Sequence, residues 1–77
     1  MTKTIVVYSQ HGSIFCDQAK EYLSRKEIKF IDRDIAQDSG ALQDLEKLGF
    51  MTTPVIVIDG SVIVGFDIDK IDQALQG

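Results

Sequence analysis

The sequence predicts an α/β fold in which a four-stranded mixed sheet is flanked by three helices, in the order β-α-β-α-β-β-α. Three observations support this prediction. Residues 4–8 and 55–58 are runs of β-branched and other apolar residues that are typical of buried strands. Apolar residues at helical spacing lie between and after these runs. The pair Asp59-Gly60, a strong signal for a two-residue hairpin, joins the second run to a short antiparallel strand at residues 62–64.

The first helix is predicted to begin near Ser13, whose side chain is a natural N-cap. Its apolar stripe is expected to pack on the sheet and consists of Phe15, Ala19, Tyr22 and Leu23. Residues 28–35, which alternate apolar and charged residues over their first half, are predicted to form the second strand, near an edge of the sheet. A strand-helix-strand connection this short is a right-handed crossover, so the two strands are expected to be parallel.

Two further helices are predicted from their caps and apolar spacing. Asp38 or Ser39 caps the second helix, and Asp67 or Asp69 caps the third, which spans about two turns. Gly49 marks the end of the second helix. The residues expected to face the core are Leu42, Leu45 and Leu48 in the second helix and Ile68, Ile71 and Leu75 in the third.

Length, composition and charge limit the class of protein. The 77 residues are expected to form one small domain spanning residues 1–77. The hydrophobic fraction of 44% is ordinary for a globular chain, and no apolar run approaches the roughly 18 residues that a membrane span requires. A formal net charge of −4 argues against a nucleic-acid partner, which would need a basic face. Residues 1–3 lead directly into a strand without the apolar segment of a signal peptide, which predicts a cytoplasmic protein, and we expect a monomer.

The chain has a single cysteine, Cys16, which cannot form an internal disulfide and is typical of a reducing compartment. No second cysteine or histidine cluster accompanies it, so no metal site is predicted. Cys16 falls in the first turn of the predicted first helix, where unpaired backbone amides and the helix dipole favour a thiolate. Lys20, one turn further along, is placed to meet an anion. The alternative is that Cys16 is a small core residue, a common position for a free cysteine.

Pro54, the only proline, stands at the first residue of the predicted third strand, where its missing N–H does not interrupt the sheet. A trans Thr53–Pro54 bond is the ordinary form of such a bond. A cis bond would instead turn the Thr53 backbone outward, where its amide and carbonyl can pair with an extended peptide.

These segments together resemble a glutaredoxin of the thioredoxin fold, over almost the whole chain. The matching motifs, in order, are Val7-Tyr8-Ser9, the Cys16 half of a C-x-x-C followed by Ala19-Lys20, Thr52-Thr53-Pro54, Asp59-Gly60 and Gly65-Phe66-Asp67. The resemblance implies glutathione-dependent thiol–disulfide exchange that reduces protein disulfides or mixed disulfides of glutathione. It also implies a cis Thr53–Pro54 bond. The residues implied to bind glutathione are Gln10, which stands where the family often has a lysine, and Phe15, Lys20, Thr53, Pro54, Gly65, Phe66 and Asp67.

The position of the attacking thiol in this family is occupied here by Ser13, at the start of Ser13-Ile14-Phe15-Cys16. A serine hydroxyl is not appreciably ionised near neutral pH and cannot open a disulfide, so the chain as written is predicted to be inactive. Cys16 matches the resolving cysteine of the family. Three interpretations remain for Ser13: an engineered Cys→Ser change, a serine in place of selenocysteine, or a natural protein that has become a binder. The first two rank above the third because cysteine and serine are near-isosteric.

Two alternatives to a glutathione-dependent enzyme follow from the same residues. One is the glutaredoxin-like hydrogen donor of ribonucleotide reductase, which is reduced by thioredoxin reductase. Such proteins share Gly65-Phe66 but usually carry Trp before this pair and Arg-Pro after it. This chain lacks all three residues there, which favours glutathione. The other alternative is a non-catalytic module that binds glutathione or an extended peptide at Thr53 and Pro54.

Overall fold

The computed structural model of the protein describes residues 3–76. The elements are β1 (Ile5–Ser9), α1 (Ile14–Arg25), β2 (Ile31–Asp34), α2 (Ser39–Lys47), β3 (Val55–Ile58), β4 (Ser61–Val64) and α3 (Ile68–Gln76). The four strands form one sheet in the order β2-β1-β3-β4. Strand β2 is parallel to β1, whereas the β1–β3 and β3–β4 pairs are antiparallel. The predicted element order, the mixed sheet and the edge position of the second strand are therefore confirmed.

The core lies on both faces of this sheet. On one face, side chains from β1, β3 and β4 pack against α1 and α3; the buried residues are Ile5, Val7, Ala19, Leu23, Ile56, Ile58, Ile63 and Ile71. On the other face, a smaller cluster of Tyr8 and Val55 packs against Ala41 and Leu45 of α2. Alternate strand residues point to opposite faces, which is why β1 and β3 supply residues to both clusters.

The second strand begins later than its sequence pattern indicates. Strand β2 spans Ile31–Asp34, whereas residues 28–35 were expected. Glu27 adopts a positive φ of 59°, and the Ile28 N–H donates to the Leu23 carbonyl at 3.0 Å. Because these residues still belong to the turn that ends α1, the chain cannot join the sheet until it has left that turn.

Three apolar residues that were expected in the core are exposed. Phe15 lies on the outer side of the first turn of α1, where its side chain is 63% exposed and Cys16 is buried in its place. Leu48 is the C-cap of α2 and is 41% exposed. Ile68 is the first residue of α3 and is 42% exposed, while Ile71 one turn later reaches the core. The stripes predicted from spacing were therefore wrong at the helix ends.

The predicted hairpin is confirmed between β3 and β4. Asp59 adopts φ 51° in the turn, and the two strands pair from Val55↔Val64 to Ile58↔Ser61. Asp59 also extends the sheet, because its N–H donates to the Thr4 carbonyl at 2.8 Å and its carboxylate accepts from the Thr4 N–H at 2.9 Å. Among the helices of residues 3–76, none is long and apolar enough to cross a membrane.

A polar cluster joins α1 to α3. The Tyr22 hydroxyl donates to the Asp72 carboxylate at 2.5 Å, and Lys26 Nζ lies 3.3 Å from the same carboxylate. The Tyr22 ring meets the Phe66 ring edge-on, with centroids 5.9 Å apart. The Tyr22 hydrogen bond, followed by that of Lys26, lowers the pKa of Asp72. Folding therefore favours the ionised form of this carboxylate.

We expect Asp72→Asn to lower the free energy of unfolding at neutral pH. The difference from the parent should be smaller in acid. A carboxylate whose pKa is lowered by folding contributes stability above its unfolded pKa, about 4, and loses it as pH falls through the folded pKa. Urea denaturation of both chains between pH 2 and pH 7 measures the difference. Glu46→Gln, at an exposed position of α2, is the control. This account would be contradicted if the difference in the free energy of unfolding between Asp72→Asn and the parent did not change with pH.

Candidate functional site

The predicted cap of α1 is confirmed at Ser13. Its backbone is extended (φ −89°, ψ 126°), and its hydroxyl oxygen accepts from the Cys16 N–H at 3.5 Å. The Ser13 N–H donates to the Gln10 carbonyl at 3.2 Å, which closes the short loop between β1 and α1. Ser13 is half-buried, and its side chain stands at the end of the helix that carries unpaired N–H groups and the positive end of the dipole.

Ser13→Ala is expected to lower the free energy of unfolding by about 1 kcal/mol, because alanine cannot accept a hydrogen bond at the N-cap. Ser24→Ala is the matched control, since Ser24 is exposed near the other end of α1, where alanine is the better helix former. Thermal or urea denaturation of the two variants gives the comparison. Equal stabilities for the two variants would argue against a capping role for Ser13.

Cys16 lies inside the domain rather than at its surface. Its side chain is fully buried, and its sulfur accepts a hydrogen bond from the Gln10 N–H at 3.4 Å. It sits three residues beyond Ser13, so that one helical turn separates a partly accessible position from a buried one. A fully buried thiol in this place is screened from molecules in solvent.

The loop before β3 borders this site. The Thr53–Pro54 bond is cis, as predicted. The sheet pairs Tyr8 with Val55, which places Pro54 beside the end of β1 and therefore beside the loop that leads to Ser13. Pro54 is buried, and its carbonyl accepts from the Gly65 N–H at 2.8 Å. The register thus brings three predicted segments, at residues 10–16, 53–54 and 65–67, to one edge of the sheet.

Asp67 rather than Asp69 is the residue that caps α3. Its carboxylate accepts from the Lys70 N–H at 3.2 Å, and its carbonyl accepts from the Ile71 N–H at 3.0 Å. Gly65 has φ 84°, a backbone conformation that favours glycine at this turn. Phe66 between them is half-buried against Tyr22. The amide groups at the start of α3 therefore lie next to the cis-proline loop.

Lys20 is held by an acidic partner within the protein. Its ammonium lies 3.1 Å from one carboxylate oxygen of Asp32, and the other oxygen accepts from the Ser9 hydroxyl at 2.6 Å. The hydrogen bond to Asp32 is the main reason that the pKa of Lys20 is raised. Lys20 does meet an anion, as its position indicated, but that anion belongs to β2. The contact between Ser9 and Asp32 carried no signal in the sequence, because it depends on the register of β1 and β2.

Apolar side chains flank the site and are open to solvent. Ile14 is 71% exposed and Phe15 is 63% exposed, directly after Ser13. Met51, in the loop that leads to Thr53 and Pro54, is 78% exposed. Sequence reasoning missed Ile14 and Met51, because an apolar residue at an isolated position is usually expected in the core. Among residues 3–76, no three His, Cys, Asp or Glu side chains come close enough together to hold a metal ion.

A mixed sheet of this order, with a helix that begins at a Ser-x-x-Cys segment and a cis-proline before the third strand, is a thioredoxin-like fold. The family model for glutaredoxin matches residues 5–63. The chain belongs to the glutaredoxin family.

Individual relatives agree with this assignment. A glutaredoxin-like 8.6 kDa protein from the rubredoxin operon of Clostridium pasteurianum, itself uncharacterised, is 37% identical over 73 residues, which cover 94% of this chain and 97% of the relative. The glutaredoxin-like protein NrdH of Lactococcus lactis subsp. cremoris is 31% identical over 62 residues, which cover 80% of this chain and 86% of NrdH. The crystal structure of a mutant of the thioredoxin-like protein BC3987 superposes with a TM-score of 0.90 at 34% identity, covering 95% of both chains.

Proposed function

We propose that the parent of this chain is a glutathione-dependent thiol–disulfide oxidoreductase whose attacking group, a thiol or a selenol, belongs at position 13. The observation that carries this proposal is the placement of Ser13 at the cap of α1, one turn from the buried thiol of Cys16 and beside the cis-proline loop. The backbone amides at a helix N-terminus stabilise a negative charge at the cap. The chain with Ser13 represents an inactive form.

Reduction of the substrate takes two exchange steps, and reduction of the enzyme by glutathione follows. A thiolate at position 13 attacks one sulfur of a substrate disulfide, forms a mixed disulfide and expels the other sulfur as a thiolate. The Cys16 thiol loses its proton and attacks the sulfur at position 13, which releases the second substrate sulfur and closes a disulfide within α1. Two molecules of glutathione then reduce that disulfide and leave as oxidised glutathione. With Ser13 in place, the first step cannot start.

We place glutathione along the edge formed by the cis-proline loop and the start of α3. The Thr53 main chain would pair with the peptide backbone of glutathione, and its γ-glutamyl end would lie near Phe66 and Asp67. Thr53 and Phe66 are half-buried at this edge, and Pro54 and Gly65 are tied together by a hydrogen bond of 2.8 Å. Half-buried residues with backbone groups close together suit pairing with a short peptide.

A second candidate function is the reduction of protein disulfides with electrons from thioredoxin reductase, as a hydrogen donor of ribonucleotide reductase. The observation that favours it is the exposure of the apolar side chains Ile14, Phe15 and Met51, which suits contact with a protein surface better than contact with a charged tripeptide. The similarity to NrdH adds weak support. A non-catalytic module that binds glutathione or an extended peptide is the remaining candidate.

Two coupled assays of the Ser13→Cys protein separate these candidates. One supplies glutathione, glutathione reductase and NADPH, and the other supplies thioredoxin reductase and NADPH, with the same disulfide substrate in both. Turnover in the first assay alone supports the proposed function, and turnover in the second alone supports the hydrogen donor. No turnover in either assay, with glutathione binding retained, identifies a binding module. Ser13→Cys with Cys16→Ser is the matched variant that lacks the resolving thiol.

A further inference from the structure

A chain of hydrogen bonds that runs from a buried serine to an exposed ion pair holds Lys20 in place. Ser9, at the end of β1, is 1% exposed, and its hydroxyl donates to Asp32 at 2.6 Å. Asp32 in turn accepts from Lys20 at 3.1 Å. The buried Ser9 hydroxyl orients the Asp32 carboxylate, and this carboxylate in turn sets the direction of the Lys20 side chain. The position of the Lys20 charge is therefore set by residues on two neighbouring strands.

Lys20 shares one face of α1 with the capped end of the helix. It is seven residues beyond Ser13, which is two turns and about 10 Å along the axis. Helical side chains lean toward the N-terminus, so a released lysine would extend toward Ser13. Cys16 and Asp17 already lie close enough to contribute to the raised pKa of Lys20. In the structure, however, the Lys20 ammonium points to β2, where the Asp32 carboxylate neutralises its charge.

The charges of the site are unfavourable to an anionic ligand. Asp17 in the first turn of α1 and Asp67 at the start of α3 are both acidic, and Gln10 is neutral. The formal net charge of the chain is −4. Glutathione carries two carboxylates and one amino group, so it approaches this site as an anion. Lys20, the cation on the face of α1 that also carries Ser13, is paired with Asp32.

We propose that Asp32, fixed by Ser9, is a specificity-determining residue that holds Lys20 away from the ligand and thereby weakens the binding of glutathione and of other anionic thiol compounds. Ligands without net negative charge are not affected. This inference rests on the proposed function for the location of the ligand site, and it adds that the charge selectivity of the site is controlled from β2. The residue acts through Lys20 and need not touch the ligand.

The test is a binding titration with the Ser13 chain as it exists. S-methylglutathione is the probe, because its blocked sulfur cannot react with Cys16, and its dimethyl ester is the matched ligand without carboxylates. Amide chemical shifts followed by NMR give Kd for the parent, Asp32→Asn and Asp32→Asn with Lys20→Met. We expect Asp32→Asn to lower Kd for S-methylglutathione about two- to fivefold, the range of an exposed ion pair, and to leave Kd for the ester unchanged. Adding Lys20→Met should remove the gain.

Glu21→Gln is the control for net charge. It also removes one carboxylate from a salt bridge, but this carboxylate pairs with Arg25 on the exposed side of α1 and not with Lys20. Ser9→Ala, which loosens Asp32 without removing charge, should give a smaller gain of the same sign and serves if Asp32→Asn folds poorly. An equal gain for acid and ester, an equal gain in Glu21→Gln, or no gain at all would overturn the inference. Failure of the proposed function shows separately, as absence of turnover by Ser13→Cys in the coupled assays.

Discussion

Ser13→Cys is expected to give a disulfide reductase with kcat in the ordinary range of about 1–10³ s⁻¹, whereas the chain with Ser13 is expected to show no measurable turnover. The reason is that the chain already has the other parts of the exchange reaction in place. The cap of α1 supplies amide groups and the positive end of a helix dipole at position 13. Cys16 lies one turn away and buried, where it can close a disulfide. Under the proposed function, the first nucleophile is the part that Ser13→Cys restores.

The fold should tolerate this change. Cysteine and serine are close in size, so the half-buried site is not overpacked, and the expected loss is limited to part of the capping energy, about 1 kcal/mol or less. A thiol at the cap should ionise well below the value of about 8.5 for a free cysteine. Selenocysteine at the same position should react faster still, because a selenol ionises more readily and is a better leaving group.

The rate of alkylation by iodoacetamide against pH measures the pKa of the new thiol. Ser24→Cys in a Cys16→Ser background is the matched control, since it places the same thiol near the C-terminal end of α1, where the dipole is reversed. The Ser13→Cys thiol should titrate at the lower pH of the two. A pKa at or above that of a free cysteine, together with no turnover, would leave the binding module as the better account of the protein.

Local sequence signals predicted the parts of the fold that depend on neighbouring residues. Ser13 and Asp38 are N-caps because their side chains reach amides three residues ahead, and both were identifiable from residue type and position. Strand β3 was predicted with its observed bounds, because four consecutive apolar residues after Pro54 fit a strand buried on both faces. The hairpin at Asp59 likewise follows from a single pair of residues.

The parts that were not predicted depend on contacts between distant segments. The Ser9–Asp32–Lys20 chain exists because β1 and β2 are parallel in a register that pairs Val7 with Asp32, and no periodicity specifies that register. The exposure of Ile14, Phe15 and Met51 has a related cause. These residues are apolar like those of a core, but they lie in the first turn of α1 or in the loop after α2, where the neighbouring structure does not cover them.

The largest effect on stability is expected from Leu23→Ala, with a loss of about 2–5 kcal/mol in the free energy of unfolding. Leu23 is fully buried between α1 and the sheet, in the cluster that includes Ile56 and Ile71. Removing most of its side chain leaves a cavity that these rigid neighbours cannot fill. In a domain of 77 residues, where the total stability is near the low end of about 5–15 kcal/mol, such a loss brings the chain close to unfolding.

Leu48→Ala is the matched control for this prediction, because the same side-chain atoms are removed from a residue that is 41% exposed at the end of α2. Its cost should be well below that of Leu23→Ala, since solvent can occupy the space and little apolar surface is lost from the core. Helical spacing alone places both leucines in the core and predicts similar losses. Urea denaturation of the two variants therefore tests the prediction from the structure against the prediction from helical spacing. Equal losses in the free energy of unfolding would mean that Leu48 is buried.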